Sequence, residues 1–216
     1  MSDIDPAEFV LQDSRGNTGD RLMFWAKDGA GYTTSLDNAQ RYTKEQATKQ
    51  NESRESDLPW PLAYLEAHAE WSVDHQYVKP EEVAAELGEA TKAHLYATGQ
   101  WNGNDLIFLT GDGGLSDDVR KAEPFPVNFA IAKAAQPHNN VTAIAHLMAV
   151  RLSRKVVASN KVNHREALRG TGIMLAKAPR YRSRSRSSIQ NCGGCGRFVP
   201  SPVYADCSHC GADNAP

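Results

Sequence analysis

All four cysteines of this 216-residue chain fall between positions 192 and 210, in the pattern C-x2-C-x11-C-x2-C. Thiolate pairs at this spacing fit one tetrahedral Zn2+, with each sulfur about 2.3 Å from the ion. So short a segment buries too little apolar surface to fold alone, and a bound ion replaces the missing core. The expected ligands are Cys192, Cys195, Cys207 and Cys210. Gly196 and Gly211 follow the two pairs and permit the tight backbone that turns amides back onto the sulfurs. Two disulfides or a redox pair are the other uses of such a pattern. His209 lies inside the second pair and is expected to be exposed, because four sulfurs already complete the tetrahedron.

The motifs CGGCG and CSHCG, with FVPSPVYAD between them, resemble zinc ribbons of the four-cysteine class over residues 192–214. That resemblance implies structural ligands and a strand-loop-strand excursion. It does not fix a function, since such ribbons occur in nucleic-acid-binding proteins, in transcription and translation factors, and as protein-docking knobs. Further upstream, WAKDGAGYTTSLDNAQRYTKEQA (25–47) is similar to small bacteriophage and prophage proteins built from an aromatic pair, G-x-GYT and a helix. That likeness covers about 70 residues and implies no assigned activity.

Charge divides the chain. Residues 1–150 carry 12 basic and 23 acidic side chains, whereas residues 151–190 carry 11 basic side chains against Glu166 alone. The basic set is Arg151, Arg154, Lys155, Lys161, Arg165, Arg169, Lys177, Arg180, Arg182, Arg184 and Arg186. With Tyr181 as a stacking ring, it has the composition of a phosphate-binding arm, or of a solvated tether. No apolar run approaches the roughly 18 residues of a membrane span, and MSDIDPAEF lacks the plan of a secretory signal. The expected location is cytoplasmic, in a host cytoplasm if the protein is phage-encoded.

In the acidic body, FVLQD (9–13), RLMFWA (21–26) and GYTTSL (31–36) read as strands, with a turn at Asp28-Gly29. Thr43 and Gln46 form a capping-box pattern ahead of a helix from Lys44. A short helix over AYLEAHAEW and an alternating strand over VDHQYV (73–78) follow, the strand ended by Pro80. Val141, Ile144, Ala145, Met148, Leu152 and Val156 recur at helical spacing and predict one helix over 139–158, with a shorter helix capped by Asn163 and closed at Gly170.

TGDRLMFWAKDG (18–29) and NGNDLIFLTGDG (102–113) align without a gap at an offset of 84, and one deletion extends the match toward Ala47 and Ala130. A duplicated module is therefore expected. The fold expected is α+β: tandem strand-rich modules over 1–80 and 81–137, a helical basic segment over 138–179, an Arg/Ser linker over 180–190 and a zinc ribbon over 191–216.

The chain has no G-x-S-x-G, H-E-x-x-H, Walker or dinucleotide signature. Gly111 to Gly114 reads as a hairpin turn. Of the general-base candidates His68, His75, His94, His138, His146 and His164, only His75 has a neighbouring carboxylate, Asp74, and strand geometry points the two apart. The expected function is that of a small phage-type accessory or regulatory protein that binds DNA or RNA through the basic C-terminal third and the ribbon. The alternative is a protein-binding inhibitor or adaptor whose acidic body docks on a host complex, such as a defence system or polymerase.

Overall fold

A computed structural model describes residues 8–176, 189–200 and 206–214. Residues Met1–Ala176 and Lys177–Pro216 form two separate units. The mixed α and β architecture agrees with expectation, and no helix among the described residues is long and apolar enough to cross a membrane.

The first half of the body opens with β1 (Phe9–Thr18), β2 (Arg21–Trp25) and β3 (Tyr32–Thr33). Asp28 and Gly29 take positive φ at the expected turn. Helix α1 (Lys44–Ser53) starts at the expected capping box, where the Thr43 hydroxyl accepts from the Gln46 amide and the Gln46 side chain accepts from the Thr43 amide. Then come β4 (Asp57–Pro61), α2 (Leu62–Ala67), β5 (Glu70–Val73) and α3 (Pro80–Glu89).

The same order recurs in the second half. It runs through β6 (Lys92–Asn102), β7 (Asp105–Leu109), β8 (Leu115–Ser116), the short β9 (Phe125–Pro126), α4 (Val127–Ala134), β10 (Val141–Ala145), α5 (His146–Leu152), β11 (Ser153–Val156) and α6 (His164–Ala167). Sheet order is β3-β2-β1-β4 in one half and β8-β7-β6-β10 in the other. Register agrees as well. Gln12 faces Phe24 and Thr18 faces Arg21, while Tyr96 faces Phe108 and Asn102 faces Asp105, all at an offset of 84 and with a register shift at the matching place.

Each half lends its last elements to the other. The first core joins Val10, Leu22, Phe24, Leu36, Ala39, Trp60 and Leu65 to Val157 and Ala167, which follow β11 and lie on α6. The second joins Leu106, Phe108, Val119, Ala122, Ile144 and Ala149 to Val73 and Val83, from β5 and α3. Strands β5 and β11 pair antiparallel where the halves exchange, with Trp71 opposite Lys155. The turns after β1 and β6 meet closely: Gly19 and Gly103 both have φ near 60°, and a Cβ on either would collide with the backbone of the other turn.

Between the halves lies a buried ion cluster. Arg21, 1% exposed, sets Nε 2.7 Å from Asp105, Nη1 3.0 Å from Glu70 and Nη2 2.6 Å from Asp117. Arg154 sets Nη1 2.8 Å from the other Asp105 oxygen and Nη2 3.2 Å from Asp74. By the offset of 84, Arg21 matches Asp105 and Glu70 matches Arg154, so each half carries the opposite charge at each matched position.

Three expectations are corrected. Residues 139–158 form a strand, a helix and a strand in place of one helix, because β-branched Val141, Thr142 and Ile144 join β6 and Ser153–Val156 joins β5. The 73–78 strand stops at Val73. Asp74 then accepts from the Gln76 amide and caps a 3-10 turn over His75–Tyr77, and Pro80 starts α3 at the position where its missing N–H costs nothing. The 31–36 strand contracts to Tyr32–Thr33 before a 3-10 turn at Leu36–Asn38. Residues 151–169 belong to the same unit as the body, and Val157 and Ala167 complete its first core.

Removing Arg21 takes the shared cation from Asp105, Glu70 and Asp117 and leaves Arg154 and Lys161 facing only the first two, at a cost of about 3–5 kcal/mol. R21A should lose that much in urea denaturation followed by tryptophan fluorescence. The exchange R21D/D105R keeps an opposite-charge pair but sets like charges against Glu70, Asp117 and Arg154, so it should not recover the stability of the unaltered chain.

Candidate metal centre

The C-terminal unit is built on two similar turns. In the first, β12 (Ile189–Asn191) leads into Cys192 and β13 (Phe198–Pro200) leaves antiparallel to it. The Cys192 amide donates to the Arg197 carbonyl at 2.7 Å, and the Gly196 amide to the Cys192 carbonyl at 2.8 Å. The second turn repeats this, with Cys207 donating to Ala212 and Gly211 donating to Cys207, both at 2.8 Å. Gly196 and Gly211 take φ of 71° and 70°, which explains a glycine after each pair. Gly194 meets a different constraint: a Cβ there would sit 2.6 Å from that of Ala212. Of the FVPSPVYAD excursion, residues 201–205 lie outside the described set.

The four sulfurs lie within 4.8 Å of one another and can hold a metal ion. Cys192 Sγ is 3.6 Å from Cys210 Sγ, and Cys195 Sγ is 3.9 Å from Cys207 Sγ. A tetrahedron with metal–sulfur bonds of about 2.3 Å has edges of about 3.8 Å, so the spacing fits a shared cation. It is too long for a disulfide bond of about 2.05 Å. None of the four cysteines is in a disulfide.

Backbone and side-chain donors favour charge on one sulfur of each turn. The Cys195 amide, the Asn214 side chain and the Gly194 amide hold the Cys192 thiol down to about 6. The His209 and Cys210 amides lower Cys207. At Cys210 the Ala212 amide favours the thiolate, but the Cys195 sulfur, burial and the other sulfurs outweigh it and push the thiol up to about 12. Four sulfurs this close repel one another as anions, and a divalent cation is the partner that lets them ionise together.

Asn214 ties the two turns together and carried no motif in the sequence. Its Oδ1 accepts from the Gly193 amide at 2.9 Å, and its Nδ2 reaches the Cys192 sulfur at 3.4 Å. His209 is exposed, with Nδ1 3.1 Å from an Arg197 guanidinium nitrogen, and stands outside the sulfur cluster as expected.

The basic residues proposed for nucleic acid divide into three groups. Arg154 is largely buried in the central ion cluster, Lys161 pairs with Glu70, and Arg151 pairs with Glu86. Lys155 lies 3.5 Å from Asp37 and 3.7 Å from Glu66, over the Trp71 ring. Arg165 and Arg169 are exposed, with no ion pair among the described residues. Lys177, Arg180, Tyr181, Arg182, Arg184 and Arg186 lie outside the described residues.

The histidines mostly hold backbone or rings. His68 Nδ1 is 2.7 Å from the Tyr64 carbonyl, His164 Nε2 is 2.8 Å from the Pro59 carbonyl, and His75 packs on Trp101. Asp74 faces Arg154 and caps its own turn. His94 bonds the Glu123 carbonyl through Nδ1, which must therefore carry hydrogen, so its Nε2 accepts from His146 Nδ1 at 2.8 Å. The matched positions in the first half are the apolar Val10 and Leu62.

No family model, curated protein or solved structure matches the chain.

Burial lowers the affinity of His94 and His164 for a proton. With folded values below the unfolded one, the unfolded chain binds protons first as pH falls, so stability is lost below about pH 6.5. Urea midpoints should fall between pH 7 and pH 5, and H164Q should reduce that slope. For the metal centre, elemental analysis should find metal with the unaltered chain and none with C207S, while the circular dichroism of the body is retained.

Proposed function

We propose that the four cysteines hold one structural Zn2+ and that the protein binds nucleic acid through the basic run beside this ribbon. The reading rests on one observation. Lys177, Arg180, Arg182, Arg184 and Arg186 fall within ten residues, next to a segment whose sulfurs are arranged for a metal, whereas Arg154, Lys155 and Lys161 are occupied by carboxylates of the body. Thiolate-only coordination at tetrahedral spacing favours zinc among the common divalent ions. Zinc gives the ribbon its shape, the cations neutralise phosphates, and Tyr181 stacks on an unpaired base. Arg165 and Arg169 remain available on the body.

The two halves of the body are, on this reading, copies of one module. The shared order, register and offset support duplication, and so do the reciprocal cores. An adaptor role toward a host protein complex draws on a separate feature, an apolar groove in the second half.

The full chain should shift single-stranded oligonucleotides in a gel, with log affinity falling against log salt at a slope of about −3 to −4, as expected for four or five phosphates. A chain ending at Ala176 keeps both cores and should bind far more weakly. Absence of any shift at low salt, or equal binding by the truncated chain, rejects the reading. Replacing Arg180, Arg182, Arg184 and Arg186 by serine should flatten the slope without releasing zinc.

A further inference from the structure

In the second half, α3 and α4 both pack on β10, and between them lies an open groove of about 490 Å3. Val83, Leu87, Tyr96, Ile131, Ala134 and Ala143 supply most of its walls. Its floor continues the cluster of Ala93, Leu95, Ala130 and Ala143, so the groove is the uncovered margin of a packed interface.

The first half shows what fills such a groove. Phe9 and Leu11 match Ala93 and Leu95 at the offset of 84, and past the one-residue deletion Ala47 matches Ala130 and Asn51 matches Ala134 at an offset of 83. Here the chain continues past α6, and Leu168 and Ile173 pack against Phe9, Leu11 and Ala47. The Ala176 amide donates to Asn51 Oδ1 at 2.8 Å, closing the segment onto α1. After α3, by contrast, only Ala90 and Thr91 precede β6, and the positions matched to 173–176, Glu89 to Lys92, carry no large apolar side chain. One side chain differs to match: the buried amide acceptor Asn51 is replaced by Ala134, which can make no hydrogen bond.

We propose that this groove receives an extended, uncharged apolar segment of a partner protein, seated as residues 173–176 are seated on the first half. Side chains of Ile and Leu size enter between Leu87 and Ile131, over Ala143. The backbone carries the remaining contacts, so the partner segment has two or three apolar residues and no acidic one. This inference concerns the body alone and is independent of the nucleic-acid reading.

The test uses the full chain, isotopically labelled, titrated with the acetylated and amidated hexapeptide of residues 171–176. The expected result is saturable NMR shifts confined to residues around Leu87, Tyr96, Ile131 and Ala134. I131E, at the exposed rim, should weaken binding about tenfold, or 1.4 kcal/mol. A134N should tighten it several-fold by restoring the amide acceptor of the first half. A peptide with both large apolar residues replaced by glutamate should not bind. The proposal is overturned if shifts are absent at the solubility limit of the peptide, if they map elsewhere, or if I131E binds equally well. It is also overturned if the groove signals of the protein alone change with its own concentration, which would assign the face to a second copy.

Discussion

Arg21 and Asp105 occupy matched positions in two similar halves, and they touch. In a pairing of two identical halves, that contact would set arginine against arginine or aspartate against aspartate. Within each half a second charge supports the contact with the signs exchanged: Glu70 pairs with Arg21, and the matched Arg154 pairs with Asp105. Burying like charges side by side costs far more than a well-paired ion cluster, so the arrangement favours joining unlike halves over joining like ones. Its main effect is on which surfaces meet, more than on total stability, because desolvation offsets most of the attraction. The β5–β11 pairing, the close turns at Gly19 and Gly103, and both cores all depend on that choice of partner.

Much of this was legible in the sequence where the signal is local. The capping box at Thr43 and Gln46, the turn at Asp28-Gly29 and the spacing of the four cysteines each need only neighbouring residues, and each appears in the structure. The offset of 84 carried into register and element order. The helix expected over 139–158 failed because Val141, Ile144, Ala145, Met148 and Leu152 satisfy helical spacing and also a strand followed by a helix. What separates the two is the pairing of Val141–Ala145 with β6, some fifty residues upstream in sequence. The partners of the basic residues were hidden in the same way. Arg154 and Lys161 look like a surface for phosphates when counted along the chain, yet their counterions are Asp74, Asp105 and Glu70. Asn214 was invisible because a lone asparagine after a cysteine pair has no pattern, although it links the two turns of the metal centre.

The two units answer the same difficulty by different means. A half of the body, at about eighty residues, has a thin core and completes it with a strand end and a helix from the other half. The C-terminal unit is smaller still, and its thiolates are arranged for a metal that takes the place of a core. Both devices make a small piece depend on something supplied from outside its own sequence neighbourhood.

The exchange of terminal elements bears on how the chain is made. The first core contains Phe24 and Trp60, but it also needs Val157 and Ala167, near the end of the body. During synthesis the N-terminal half therefore emerges without the residues that seal it, while the second half already has Val73 and Val83 in hand when its own strands appear. The later half can close first, and the earlier one must wait with Phe9, Phe24 and Trp60 uncovered. Contacts spanning more than 100 residues also slow the final step. A newly made chain of this kind has a defined period, ending only when α6 leaves the ribosome, in which its oldest part is the most exposed to aggregation.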